Sequence, residues 1–194
     1  MSLLLNHPAV LEKARAELDN YVGHSRLVDE PDLTKLPYLQ NIIKETLRLF
    51  PAVPHESSDD CTIGGYDVPR STILIVNAWA IHRSHDIWED TIRFKPERLE
   101  NLEGKGYKFV PFGIRRRAYP GAGLAHRVMA LTLAALIQSL ECGRIDEEEV
   151  DLIEATGLTM PKAKPLEVRL CAKPATPCSM SFWSCNTYVK YHIL

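Results

Sequence analysis

Three sets of residues in this chain have types and spacings that can support chemistry. The first is Phe109 to Arg127, FVPFGIRRRAYPGAGLAHR. An extended Phe109-Val110-Pro111-Phe112 runs into a bend at Gly113. Three arginines follow, and Pro120, Gly121 and Gly123 precede a long apolar run that reads as a helix. A helix start offers unpaired backbone N–H groups and the positive end of the helix dipole. Arg115, Arg116 and Arg117 add to that field, so the stretch predicts an anion near Tyr119. The same residues also fit a solvated basic loop. They match neither phosphate-loop pattern, since no Gly-Lys-Ser/Thr follows and no Gly-x-Gly-x-x-Gly is present.

The second set is Glu45 and Arg48, spaced to pair one helical turn apart. Read alone, they are an exposed ion pair of small energetic weight. The third set is histidine. His82 and His85, with Asp86 beside them, have the spacing of a metal site, but no further ligand can be named, so a supporting role or surface exposure fits better. His55 is a cation able to face a carboxylate, or a solvated turn histidine. The thioether of Met129 reads as core filler. Cys61, Cys142, Cys171, Cys178 and Cys185 make an odd count with no Cys-x-x-Cys. Neither structural zinc nor a disulfide framework is expected, and a reducing compartment is.

The elements that must hold these residues follow from composition and periodicity. The chain has 194 residues, 45% hydrophobic and 25% charged, enough for one domain with a substantial core. A net charge of −2 argues against nucleic acid as the main partner. No signal peptide or long unbroken apolar run is present, so no membrane span is expected. Met1 to Tyr21 is an amphipathic helical run with Pro8 in its first turn, and its apolar opening at Leu3, Leu4 and Leu5 suggests a missing upstream partner. Asp32 to Phe50 reads as one helix, with Leu36, Leu39, Ile43, Leu47 and Phe50 on a stripe and Glu45 and Arg48 off it. Cys61 to Pro69 reads as a hairpin around Gly64-Gly65, followed by a strand over Thr72 to Asn77 in which Ile75 and Val76 argue for burial on both faces. Leu124 to Leu140 is apolar almost all round and predicts a buried helix. Asp146 to Val150 is an acidic surface patch. From Cys171 onward no periodicity is usable, and a foreign, disordered tail is expected. The fold class is mainly α with a small β-sheet, α+β.

FVPFGIRRRAYPGAGLAHR resembles the haem-binding loop of cytochromes P450, in which Phe-Gly-x-Gly-x-Arg-x-Cys-x-Gly supplies a cysteine thiolate to the iron. Phe112, Gly113, Arg117 and Gly121 match. Arg115 stands where the family has glycine, and Tyr119 stands where it has the cysteine. Glu45-Thr46-Leu47-Arg48 resembles the Glu-x-x-Arg of the K-helix, and Arg98 in Phe94-Lys95-Pro96-Glu97-Arg98 is similar to the Pro-Glu-Arg motif. In that family the Glu and two Arg interlock to fix the ligand loop, each satisfying charges none could sustain alone. Asn77 to Arg83 resembles a stretch shared by plant members of the flavonoid-hydroxylase-like branch. There a His or Arg at the place of His55 hydrogen-bonds a haem propionate. Pro51-Ala52-Val53-Pro54 looks like a deletion beside the pocket wall. Gly157 to Leu166 resembles a turn that projects into the substrate pocket with Leu158 and Met160 facing the ligand; it also fits a hydrophobic hairpin packed on the sheet.

The resemblance implies that residues 1–170 are the C-terminal part of a cytochrome P450 fold, incomplete, and that 171–194 are a divergent tail. It implies haem as cofactor, a small apolar substrate such as a flavonoid-like secondary metabolite, and an NADPH-dependent flavoprotein reductase as partner, docking toward Arg115, Arg116 and Arg117. It implies an oxygenase of the endoplasmic reticulum membrane, whereas this fragment without an anchor would be cytoplasmic. The helix whose acid-alcohol pair delivers protons to oxygen is not expected here, which leaves no general acid. Tyrosinate ligation belongs to catalase-like chemistry, and a phenol with a pKa near ~10 binds iron only where its anion is stabilised. The expectation is therefore a chain without a thiolate-ligated haem, inactive as an oxygenase. The alternatives are a non-catalytic haem- or reductase-binding module, with Arg117 and His55 on the propionates, and a non-haem helical domain with an anion-binding turn.

Overall fold

The computed structural model describes residues 1–51, 55–56, 60–74, 76–100, 107–113, 118–156, 161–173 and 187–191, with the backbone alone at 55, 56, 61, 63, 73, 74 and 187–191. Arg115, Arg116, Arg117, Leu158 and Met160 lie outside the described residues, as does the side chain of His55. In chain order the elements are α1 (Ser2–Asn6), α2 (Pro8–Tyr21), a 3-10 turn (Glu30–Lys35), α3 (Pro37–Leu49), β1 (His55–Glu56), β2 (Cys61–Ile63), β3 (Tyr66–Val68), β4 (Ile73–Leu74), α4 (Ala78–His82), a second 3-10 turn (Pro96–Leu99), α5 (Ala122–Ser139), β5 (Leu140–Gly143), β6 (Leu166–Ala172) and β7 (Thr187–Tyr191). Helices with small antiparallel sheets make the α+β class expected from the sequence. The chain divides into two compact units. One holds Met1–Thr46, Phe94–Glu100 and Pro120–Leu194, the other Leu47–Arg93 and Asn101–Tyr119.

In the first unit, the single helix expected over Asp32 to Phe50 is two elements. The chain leaves the 3-10 turn at Leu36, whose φ of −115° and ψ of 61° are not helical. Pro37 is the cause: its ring disfavours the α conformation for the residue before it, and it has no N–H to continue the turn. Glu17 on α2 then caps α3, its carboxylate accepting from Tyr38 N at 2.7 Å and Leu39 N at 2.9 Å. Leu36, Leu39, Ile42 and Ile43 are buried.

Leu11, Ala14 and Leu18 of α2 and Ala130, Ala134 and Ile137 of α5 are buried where the two helices pack. Two alanines on the α5 face keep that approach close. The rest of α5 departs from the expected all-round burial, with Leu124 64% and Val128 54% exposed. Apolar composition by itself does not say which faces meet a neighbour. By length and composition the 18-residue α5 could cross a membrane.

The antiparallel sheet β5-β6-β7 completes this unit. Along β6, Leu166, Val168 and Leu170 are buried while Glu167 and Arg169 face out, the period of two that a half-buried strand requires. The buried face packs with Cys142 and Leu5. Leu3, Leu4 and Leu5 are thus buried within this unit. Asn6 fixes the same region, donating to Val150 O and accepting from Val150 N, both at 2.8 Å. The structure also departs from a structureless tail: Cys171 and Ala172 end β6, and Thr187–Tyr191 pairs with it, Val168 opposite Val189. The unpaired edge of β6 offers a ladder that a polar, β-prone Thr-Tyr-Val-Lys-Tyr segment can join without helical periodicity.

In the second unit, β2 and β3 form the expected hairpin. Gly64 and Gly65 have φ of 59° and 86°, the paired left-handed residues of a tight hairpin turn. β1 pairs antiparallel with β4, His55 opposite Leu74. Ile75, expected to be buried, lies outside the described residues, and Val76 is 40% exposed rather than buried on both faces. Asn77 instead opens α4, its side-chain oxygen accepting from Ala80 N at 2.9 Å.

One buried amide ties the 23–28 connection to α5. Gln138 is 5% exposed; its Oε1 accepts from Val28 N at 2.9 Å, and its Nε2 donates to Gly23 O at 2.9 Å and Arg26 O at 2.8 Å. Gln138→Leu strands three backbone groups, so a loss of about 3 kcal/mol is expected in urea unfolding. A loss below about 1 kcal/mol would show that the connection finds other partners.

Candidate active site

The site is built from one turn of α3. Glu45 and Arg48, off the apolar stripe in the sequence reading, both have no exposed surface. Glu45, in the first unit, takes Arg98 Nε at 3.0 Å and Lys95 N at 3.1 Å on its Oε1. Charged hydrogen bonds of this kind are what allow a carboxylate to stay out of water. Arg98 is on the Pro96–Leu99 turn, its side chain only 10% exposed. The next acid, Glu97, accepts from Tyr38 Oη at 2.8 Å and Lys13 Nζ at 3.0 Å, which ties that turn to α2 and α3. Burial, with the Glu97 hydrogen bond second, pushes the Tyr38 phenol well above its ordinary range.

Arg48, in the second unit, spreads its guanidinium over three carbonyls. Nη1 donates to His82 O at 2.6 Å and Thr91 O at 2.8 Å, and Nη2 donates to Arg93 O at 3.3 Å. The planar fork suits several acceptors at once. Its cation also lies 5.7 Å from the centre of the Trp88 ring.

His82 stands between Arg48 and the loop. It has no exposed surface. Its Nε2 accepts from Val110 N at 2.9 Å, and its ring stacks on Phe109 at 5.5 Å. Burial first, then the nearby Arg48 charge, lower its pKa from 6.5 to about 4. The sequence reading gave His82 a supporting role or surface exposure ahead of a metal site, and its burial removes the surface alternative. His85 and Asp86 are exposed, and among the described residues no group of three metal-ligating side chains occurs. The apolar setting of Ala78-Trp79-Ala80-Ile81 was the available hint of a buried helix end.

The loop itself turns at Gly113, whose φ of 74° favours glycine. Gly113 N donates to Val110 O at 3.3 Å, and Tyr119 N donates to Phe112 O at 2.8 Å. The Phe112 and Tyr119 rings stack at 6.2 Å, and Tyr119 is 50% exposed. Gly121 precedes α5, which has no side-chain cap.

The family model described as Cytochrome P450 matches residues 1–169. The chain belongs to the cytochrome P450 family. It is 58% identical over 171 residues to a (+)-piperitol/(+)-sesamin synthase of Sesamum radiatum, covering 86% of this chain and 34% of that protein. It is 52% identical over 178 residues to an isoflavone 3'-hydroxylase of Medicago truncatula, covering 90% of this chain and 35% of that protein. A solved zebra fish cytochrome P450 with abiraterone matches with a TM-score of 0.78 at 30% identity, over 89% of this chain and 42% of that one. The chain thus spans about a third of the length of the curated relatives it matches.

A P450 implies haem. At the place of the cysteine in the loop motif, Tyr119 offers a phenol oxygen on a ring stacked against Phe112. The described cysteines sit elsewhere: Cys61 on β2, Cys142 on β5, buried and with its thiol pKa pushed up by that burial, and Cys171 on β6. This donor set does not fit a thiolate-ligated haem, and no step is derived through one.

Two outcomes test the buried charges. Arg98→Met removes a cation from the buried Glu45 carboxylate, so a loss of about 3 kcal/mol is expected in denaturant unfolding, and a loss below about 1 kcal/mol would contradict the pairing. The folded pKa of His82, about 4, lies below its ordinary 6.5, so the unfolded chain binds the proton more readily between them. The stability His82 contributes is whole above 6.5 and falls away as pH drops toward 4. His82→Gln should flatten that part of the stability curve; an unchanged slope would assign it to other groups.

Proposed function

We propose that this chain is the K-helix and haem-loop part of a plant haem monooxygenase for small apolar, flavonoid-like metabolites. With Tyr119 in the ligand position, it is not itself a competent haem-thiolate oxygenase. The substrate class rests on relatives that include isoflavone hydroxylases and a (+)-piperitol/(+)-sesamin synthase. In this reading Glu45, Arg48 and Arg98 brace the loop. Phe112, Gly113, Arg117, Gly121 and His55 form the cradle, and Leu158 and Met160 face substrate. The partner is an NADPH-dependent flavoprotein reductase, and the place of action is the endoplasmic reticulum membrane.

The observation that carries the reading is the residue at the ligand position: a phenol that is half exposed and stacked on Phe112 rather than a sulfur. A thiolate pushes electron density onto iron in a way that favours O–O cleavage, and a phenolate belongs to a different chemistry. Support for a cradle shape comes from the positive φ at Gly113, the Tyr119 N to Phe112 O bond and the stack of the Phe112 and Tyr119 rings.

Spectroscopy of the full chain reconstituted with haem, reduced and exposed to CO, tests this. The unsubstituted chain is expected to show no red-shifted thiolate band, and Tyr119→Cys is expected to gain one. A thiolate band before substitution defeats the proposal. Its absence from both proteins, with no haem taken up, removes the cradle and favours the non-haem reading.

A further inference from the structure

We propose that His82 is a positioning residue for the Phe109–Gly113 loop, acting as a neutral imidazole, protonated on Nδ1, that links the Arg48 guanidinium to the loop backbone. Val110 N–H can only donate, and it lies 2.9 Å from His82 Nε2. That nitrogen must carry a lone pair, so the ring proton of the neutral form is on Nδ1. Nδ1 is itself buried without a well-aligned hydrogen-bond partner among the described residues, and burial lowers the ring's pKa more than a contact with the Arg48 backbone raises it. A buried donor so weakly matched has a cost, and the arrangement keeps the acceptor side on the loop.

The second half of the link is the backbone of the same residue. His82 O accepts from Arg48 Nη1 at 2.6 Å, so one residue is fixed at its carbonyl by α3 and at its ring by Val110. The stack on Phe109 at 5.5 Å sets the ring plane, so Val110 and Phe109 are held by the two faces of one function. Two peptide units further on is Phe112, whose carbonyl receives Tyr119 N. Arg48 therefore need not touch the loop to control it. Its guanidinium orients the end of α4, and His82 carries that orientation to Val110. A lysine or asparagine in place of His82 fails for different reasons: lysine has no acceptor, and asparagine is too short to reach where Nε2 lies.

The inference concerns the protein part of the loop and does not rest on haem uptake. In the uniformly labelled full chain, nitrogen NMR should show the Nδ1–H tautomer of His82, with a coupling across the hydrogen bond from Val110 N–H to Nε2. A ring protonated on Nε2 overturns the proposal without any substitution. In His82→Leu, Val110 amide exchange is expected to accelerate about tenfold beyond the change at α2 and β6 amides, the factor an ordinary hydrogen bond supplies. His82→Gln, whose side-chain oxygen can accept at the same reach, should restore most of that protection. Equal acceleration at all amides in His82→Leu, or no rescue by Gln, would reduce His82 to core packing. Haem uptake measured in parallel separates the two ideas: its failure with Val110 protected counts against the proposed function alone.

Discussion

Removing the charges of Glu45 and Arg48 from water, one turn apart on α3, is the constraint on which the rest of the arrangement depends. Neither side chain has exposed surface, and a buried ion without matched partners is worth several kcal/mol of destabilisation. Each charge therefore dictates the course of chain around it. Glu45 requires donors, which it finds on Arg98 and the Lys95 amide, and this fixes the Pro96–Leu99 turn. Arg48 requires acceptors, which it finds on the carbonyls of His82, Thr91 and Arg93. Those carbonyls come from a stretch poor in regular structure, where backbone groups are available to a side chain.

This division of labour suits a fold that must present an irregular loop. Sheets and helices satisfy their own backbone groups, but segments such as 82–93 and 107–113 cannot, and buried polar backbone has to be paired by something. Arg48 supplies five donors in a rigid fork for the first segment. His82 supplies one acceptor for the second. Hydrophobic packing contributes through Trp88, which is buried, but packing is non-directional and would not by itself choose the register of the loop.

Tyr119 is held both by its backbone and by its ring. The loop closes through backbone atoms of Val110, Phe112, Gly113 and Tyr119 and through a stack of two aromatic rings. A phenol is tolerated there because half of it is in solvent and its flat face finds another flat face. The loop's geometry thus rests on backbone contacts and one ring stack, anchored at Val110 by the buried His82.

The sequence by itself determined what depends on local steric or chemical identity. Gly64-Gly65 fixed a hairpin because two successive left-handed residues cost glycine little, and Pro8 opened α2 where a missing N–H does no harm. The motifs around Glu45, Arg98, Phe112 and Gly113 announced the family because those residue types recur at that order and spacing. Only the tertiary structure decided what depends on neighbours distant in the chain. Burial of His82 required Arg48 and Val110 to close on it from segments 34 and 28 residues away. Leu124 and Val128 read as core but are exposed, because hydrophobicity states a preference and not which surface meets it. Thr187–Tyr191 carried no helical signal and became a strand because the edge of β6 supplied a ladder. Periodicity and propensity act over a few residues, whereas a buried charge or an open strand edge draws its partner from anywhere the chain returns.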